Sequence, residues 1–384
     1  MPQKSLEEDY ALSFPELERL KEYSFEMGPI RPTAEGGSHS LLIRATRNCP
    51  WSLCKFCYGI PYNREKFQLR SVEDIRRDID AAKAIADCIQ SMAMKLAGLD
   101  WAARLLDTYS LYDKEFQELD HDEMTNFQSI ITVFNWLYSG GTSVFLQDAD
   151  TLIMPTKDLL EVSDYLKRTF PSIEKMTSYA RSKTIVHKTT EEMRALRQAG
   201  LTRLYVGLES GDDDILRHVR KGVTGDEHII AGKKAKEAGF ELSEFCVTGL
   251  GGKSRSEQNA ENTARVLNEI NPDYVRIRRY VPRAGSPLLE EWKNGAFQLL
   301  SPHEELREIQ MMIKDLDVTS RVCFDHYIDP AYRIGSRLLW IFKQDHDGYK
   351  FPEEKAAVLS LAEEGLKIDE SLYVRAEELT EGFV

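Results

Sequence analysis

Six strand-like runs recur at about 40–48, 142–149, 176–182, 202–209, 241–249 and 273–281, with helical patterns between them. A strand, a helix and a further strand in one sheet need a crossover, which makes the strands parallel and the crossovers right-handed. The helical stretches carry their own start and stop signals. Ser71 with Asp74, and Thr189 with Glu192, have the spacing of a capping box, while Leu159, Val162 and Leu166 follow the 3.6-residue period. Gly200 and Gly239 stand where a helix-ending glycine precedes the next strand. Six such units suit an open doubly wound sheet or a partial barrel, and the pattern alone does not choose.

The units do not fill the chain. Residues 1–37 are polar and broken by Gly28-Pro29, Pro32 and Gly36-Gly37, which predicts a helical lead-in and a linker. The interval between the first helix and the second strand is too long for one crossover, so about 86–140 reads as a helical insertion. The alternating core then spans 38–295. Residues 296–384 predict a helical, acidic C-terminal region, clearest at 304–313 and 353–366.

No run of 18 apolar residues exists, and the first residues are acidic where a signal peptide is basic and then apolar. With six unpaired-looking cysteines the expectation is a reducing, cytoplasmic setting and no membrane. A net charge of −13 argues against a nucleic-acid partner and for a small-molecule substrate.

The first strand runs into Cys49-Pro50-Trp51-Ser52-Leu53-Cys54-Lys55-Phe56-Cys57. Three thiolates in one short loop suit zinc or an iron–sulfur cluster, both of which prefer soft sulfur ligands. A structural zinc site closes with four ligands, usually as two spaced pairs. Here Cys88, Cys246 and Cys323 are single and far apart. A [4Fe–4S] cluster on Cys49, Cys54 and Cys57 leaves one iron open for a small molecule, and this reading is favoured. Zinc with a remote His, and three plain thiols, stay open as alternatives.

This loop resembles that of the radical S-adenosylmethionine (SAM) superfamily, whose signature is C-x3-C-x-aromatic-C. The spacing here is C-x4-C-x2-C, one residue longer, with Phe56 at the aromatic position. The resemblance implies a partial (β/α)6 TIM-type barrel over about 38–290, a [4Fe–4S] cluster and SAM as cofactors, and Phe56 near the adenine. It also implies a one-electron donor such as flavodoxin or ferredoxin. In this family the second strand ends in a segment that receives the SAM ammonium, here Gln147-Asp148-Ala149-Asp150. Asp148 and Asp150 could accept it; turn-forming aspartates are the plainer alternative.

Gly207-Leu208-Glu209-Ser210-Gly211 resembles a segment shared by oxygen-independent coproporphyrinogen oxidases and methylthiotransferases. There the residue matching Glu209 meets the SAM ribose, with Ser210 beside it, and the basic residue matching Lys221 meets the SAM carboxylate. Tyr179 or Arg181 ends the third strand as a further SAM contact, and the glycines around Leu250 let backbone approach a flat adenine. The implied chemistry is reductive cleavage of SAM to a 5′-deoxyadenosyl radical that abstracts hydrogen from a substrate. An RNA-modifying methylthiotransferase-like enzyme and a non-enzymatic iron–sulfur or zinc carrier are the alternatives.

Strand alternation adds an expectation about the substrate. If apolar faces meet the helices, the lumen receives Glu244 from the fifth strand and Arg276, Arg278 and Tyr280 from the sixth. The plainer alternative is a buried salt-bridge layer in which Glu244 pairs with one arginine; two arginines against one glutamate still leave a positive excess. These four are the expected catalytic residues, and an anionic small molecule is the expected ligand.

Overall fold

The protein is described from a computed structural model, which covers residues 14–32, 39–57, 65–325, 331–375 and 378. Its centre is a sheet of eight strands. The first six are β1 (Leu41–Arg44), β2 (Ser143–Gln147), β3 (Lys175–Ala180), β4 (Leu201–Glu209), β5 (Glu241–Thr248) and β6 (Tyr274–Arg279). All six expected strands form, within two residues at most ends. They pair in parallel and in chain order, without the reversal of a doubly wound sheet. Crossovers that always advance in one direction keep their helices on one face and wind the sheet into a partial barrel.

The helices form where their signals stand. Between β1 and β2 lie α1 (Val72–Lys95) and α2 (His121–Tyr138), with shorter turns between them. Ser71 caps α1 by accepting the Asp74 N–H at 3.1 Å. Further on are α3 (Thr156–Thr169), α4 (Thr190–Gln198), α5 (Asp213–His218), α6 (Gly225–Glu237) and α7 (Ser256–Ile270). Thr189 and Glu192 close a capping box on α4. Leu204, Val206 and Leu208 of β4 join Val275 and Ile277 of β6 and the apolar faces of these helices in one large core. A smaller cluster, Leu42, Phe145, Tyr205 and Phe245, lies on the opposite, lumenal face of the sheet.

Two regions differ from expectation. The described part of the lead-in and linker, 14–32, is packed on the barrel, while Gly36-Gly37 lies outside the described residues: Gly28 N–H donates to Gln147 Oε1 at 2.9 Å, and Gln147 Nε2 donates to the Gly28 carbonyl at 3.0 Å. Met27 beside it packs on the lumenal cluster. The C-terminal region has the expected helices α9 (Pro302–Asp315) and α10 (Lys355–Gly365), after α8 (Pro287–Lys293). It also carries strands. Arg321–Cys323 extends the parallel sheet beyond β6, Tyr349–Lys350 closes that edge antiparallel, and Ala331–Ile334 pairs with Arg337–Trp340 as a hairpin. Strands of two to four residues are too short for a period to show in sequence.

Candidate cluster and cofactor site

The end of β1 feeds the cysteine loop, which enters through Asn48 and Ser52 in left-handed conformations, φ 65° and 49°. The loop is fastened to the segments after β4 and β6. Lys55 donates its backbone N–H to the Val219 carbonyl at 2.9 Å, and its carbonyl accepts from Leu288 at 3.0 Å. The Lys55 ammonium pairs with Glu291 at 2.6 Å. Trp51 Nε1 donates to the Arg220 carbonyl at 2.7 Å, and the Arg181 guanidinium lies 5.2 Å over the indole. Trp51 rests on Gly222, where φ is +76° and a Cβ would stand 2.5 Å from the ring.

The three cysteines are free thiols at intermediate exposure. Burial, reinforced by charge on Cys54 and Cys49, pushes the Cys57 thiol up to about 12. Burial raises Cys54 as well, against the pull of Lys221 and Arg181. Three thiolates held this near one another repel, and a cationic metal core removes that conflict as it displaces the protons. Among the described residues, no three His, Cys, Asp or Glu groups converge to hold one metal ion. A cubane offers a separate iron to each sulfur, so this donor set fits a [4Fe–4S] cluster on Cys49, Cys54 and Cys57.

Glu209 ends β4 with φ 66°, and its carboxylate takes Lys221 Nζ at 2.8 Å. Burial opposes the charge on Lys221, but Glu209 and Cys54 outweigh it and its pKa is raised. The ammonium also lies 5.9 Å over the Phe56 ring. Gly207 makes room for the pair: a Cβ there would collide with the Glu209 carboxylate and stand 2.9 Å from Lys221 Nζ. Arg181 Nη2 donates to the Lys221 carbonyl at 2.9 Å. Phe56, Arg181, Glu209 and Lys221 therefore meet beside the cysteines, where the sequence reading wanted them.

Leu250 joins Ile215, Tyr280 and Phe56 in one apolar cluster and lines a cleft of about 410 Å³ with His218, Gly251, Gly252 and Phe297. Tyr179 faces the lumen, edge-on to Phe145 at 5.4 Å, with its hydroxyl donating to the Arg31 carbonyl at 3.4 Å. Other expected contacts are engaged within the protein. Ser210 is fully buried, its hydroxyl donating to Asn259 Oδ1 at 2.6 Å and accepting the Asp212 N–H at 3.1 Å. Asp148 is paired with Arg44 at 2.7 Å. Asp150 accepts from the Thr184 hydroxyl at 2.5 Å and the Arg181 N–H at 3.2 Å, and burial pushes its carboxyl up to about 6. Both aspartates are thus engaged by neighbouring side chains and backbone of the barrel.

In the lumen, Arg276, Arg278 and Tyr280 follow the alternation, but Glu244 does not. It is in register with Val206 and Val275, which lie in the core against the helices, while Phe245 takes the lumenal face with Tyr205. The expectation placed Glu244 inside because the polar alternate face of β5 was assigned to the lumen; aromatic packing on that side reverses the assignment. Glu244 is buried, its Oε2 meets no hydrogen-bond partner among the described residues, and burial raises its pKa well above the carboxylate range. It therefore pairs with neither arginine. Arg276 instead pairs with Asp325, accompanied by Ser243 Oγ at 3.1 Å and His346 at 2.9 Å. The Arg278 guanidinium lies 4.1 Å over the Phe245 ring, and no hydrogen bond or ion pair engages it among the described residues. Tyr280 is buried edge-on against Phe297 at 5.8 Å.

Two contributors escaped the sequence reading. Trp51 carried no signal beyond its place between two cysteines. Glu26, in the stretch read as a linker, bridges Arg44 (2.9 Å), Arg47 (2.6 Å) and Arg70 (3.3 Å) beside the end of β1.

Comparison with known proteins agrees with this geometry. Residues 136–267, from the end of α2 through most of α7, match the model of the Radical SAM superfamily; the cysteine loop lies ahead of that match. A probable threonylcarbamoyladenosine tRNA methylthiotransferase of Methanocaldococcus jannaschii is 33% identical over 85 residues, 22% of this chain and 19% of that protein. A tRNA uridine(34) acetyltransferase of Methanocaldococcus infernus is 27% identical over 128 residues, 32% of this chain. The chain thus spans about a fifth of the length of these relatives, 19% and 22%. Among solved structures, Methanocaldococcus infernus Elp3 with an N-terminal deletion is 17% identical, covering 64% of this chain and 61% of that one at a TM-score of 0.44. A cysteine loop whose donor set fits a cluster stands at the strand ends of a partial barrel, and residues 136–267 of that barrel match the radical SAM superfamily, whose members are enzymes that bind a [4Fe–4S] cluster and SAM.

Proposed function

We propose that the enzyme directs SAM-dependent radical chemistry at an anionic small molecule anchored in the lumen by Arg278. When bound, the reduced cluster and SAM supply a 5′-deoxyadenosyl radical able to abstract hydrogen. The protein's own part is to hold the cluster on Cys49, Cys54 and Cys57, to present Glu209 to the ribose and Lys221 to the SAM carboxylate, and to orient the substrate. Phe56 and Leu250 would flank the adenine, with Arg181 and Tyr179 at the neighbouring strand end. A one-electron donor of the flavodoxin or ferredoxin kind delivers the electron.

One observation carries the substrate reading. Arg276 is neutralised by Asp325, whereas among the described residues the Arg278 guanidinium meets the Phe245 ring and no carboxylate. A half-buried guanidinium with no anion is poorly compensated, and a carboxylate or phosphate would satisfy it through a bidentate pair. Arg278→Met should retain iron and SAM binding but lose stimulation of 5′-deoxyadenosine release by a panel of carboxylates and phosphates. Equal stimulation of the variant and the parent would remove Arg278 from the substrate site.

A second reading rests on the names of relatives, two of which act on tRNA by description. The net charge of −13 was the ground for expecting no nucleic acid, and a net charge does not exclude a local binding surface. Saturable binding of tRNA at physiological salt, together with tRNA-stimulated SAM cleavage, would favour this reading over a small molecule.

A further inference from the structure

Behind the cofactor loops lies a largely buried polar network. Asn259 of α7 and Glu308 of α9 are 3% and 1% exposed. Asn259 Oδ1 accepts the Ser210 hydroxyl at 2.6 Å, immediately after Glu209 at the end of β4. Asn259 Nδ2 donates to the Val247 carbonyl of β5 at 3.1 Å and to Glu308 Oε1 at 2.8 Å. The same Oε1 accepts the Gly249 N–H at 2.8 Å, one residue before Leu250. Glu308 Oε2 takes the Ser256 hydroxyl at 2.5 Å, which anchors the start of α7. Thr263 extends the network by accepting the Gly211 N–H at 2.9 Å.

Two strand ends are thereby tied to each other through side chains from two outer helices. The end of β4 carries Glu209, and the turn after β5 carries Gly249 and Leu250. Gly249 needs its φ of +74°, and a turn in that conformation has few restraints of its own. We propose that Glu308, acting through Asn259 and the Gly249 N–H, is a positioning residue that fixes the distance between the ribose-binding and adenine-binding strand ends. This rests on the assignment of Glu209 and Leu250 to SAM. Neither Glu308 nor Asn259 touches the cofactor. Their effect is to spare SAM the ordering of two independent loops, a cost otherwise charged to binding.

The network is satisfiable by an amide as well as a carboxyl. In Glu308→Gln the carbonyl oxygen can keep both Gly249 and Asn259, and the NH2 can donate to Ser256. In Glu308→Ala the Gly249 N–H and the Asn259 amide both lose their acceptor. Both variants and the parent would be reconstituted anaerobically, and three quantities read: iron per chain, SAM affinity by equilibrium dialysis, and hydrogen exchange over residues 247–252 without SAM. Glu308→Ala should keep its iron, exchange faster over 247–252 and bind SAM roughly ten- to a hundredfold more weakly, the loss of one or two buried hydrogen bonds. Glu308→Gln should restore both exchange and affinity.

Unchanged SAM affinity in a folded Glu308→Ala variant overturns the proposal, as does a Gln variant as impaired as Ala. Should Glu308→Ala fail to fold, Asn259→Asp serves instead. It keeps the acceptor for Ser210 but loses both donated bonds, so it must weaken SAM; unchanged affinity there also overturns the proposal. Glu209→Ala, run in parallel, separates the two claims. Unchanged SAM affinity in Glu209→Ala refutes the cofactor placement itself, whereas a weakened Glu209→Ala beside an unaffected Glu308→Ala refutes only the positioning role.

Discussion

Gly222→Ala perturbs the cluster site without touching a cysteine. The backbone at 222 has φ +76°, and a Cβ there would meet three atoms of the Trp51 indole at 2.5, 2.6 and 2.9 Å. A left-handed non-glycine residue costs about 1–2 kcal/mol. The indole cannot yield by a small torsion, because Nε1 is held on the Arg220 carbonyl at 2.7 Å and the Arg181 guanidinium lies 5.2 Å over its ring. Losing that hydrogen bond costs about 1 kcal/mol more. The sum, about 2–3 kcal/mol, acts on docking of the cysteine loop rather than on the barrel core. At 1.4 kcal/mol per tenfold, the docked loop loses roughly thirty- to a hundredfold in population relative to undocked forms. The assay is anaerobic iron reconstitution followed over time, with thermal unfolding of the iron-free protein as a control. Gly222→Ala should load iron slowly and incompletely while the iron-free protein melts within a few degrees of the parent. Full loading at the parental rate would refute the claim that Trp51 docking shapes the cluster loop.

Further outcomes are expected. Cys54→Ala should abolish the iron–sulfur absorbance of reconstituted protein, and retention of about four irons per chain would move the cluster elsewhere. Glu209→Ala should weaken SAM roughly ten- to a hundredfold by dialysis with iron content intact, since it removes a charge-assisted acceptor and frees Lys221. Burial raises the Glu308 carboxyl from 4.5 to about 7, so between those values the folded chain holds a proton that the unfolded chain has released. That contribution to stability is complete below about pH 4.5 and is lost as pH rises towards 7, by about 3 kcal/mol at most. Denaturant midpoints of Glu308→Gln minus the parent should therefore rise across this window, and a flat difference would show that Glu308 does not titrate there.

The fold was legible because its signals are local. Six strands, the caps at Ser71 and Thr189 and the glycines ending two helices each show in a few adjacent residues. That the cysteines, Phe56, Glu209 and Lys221 come together was legible for the same reason: each sits in a short segment at a strand end. What escaped is set by packing across the sheet. Glu244 has a polar side chain on the core face because Phe245 completes the aromatic cluster in the lumen, and period-two alternation names two faces without saying which is inside. Arg276 finds Asp325 far along the chain, and no spacing rule reports such a pair. Asn259 and Glu308 look in sequence like polar residues of amphipathic helices; only their burial shows otherwise.

The Glu26 carboxylate, gathered by Arg44, Arg47 and Arg70, also bears on how much of the chain the barrel requires. Three guanidinium groups brought together at the close of the first strand would repel without it, and the cysteines begin two residues after Arg47. A shortened protein starting beyond residue 32 would keep every strand and every cysteine yet lose its only counter-charge for Arg47 among the described ion pairs. Trimming by strand boundaries would then leave the Arg47 guanidinium uncompensated at the rear of the cysteine loop and would also strip the buried Leu20 and Phe25 from the core.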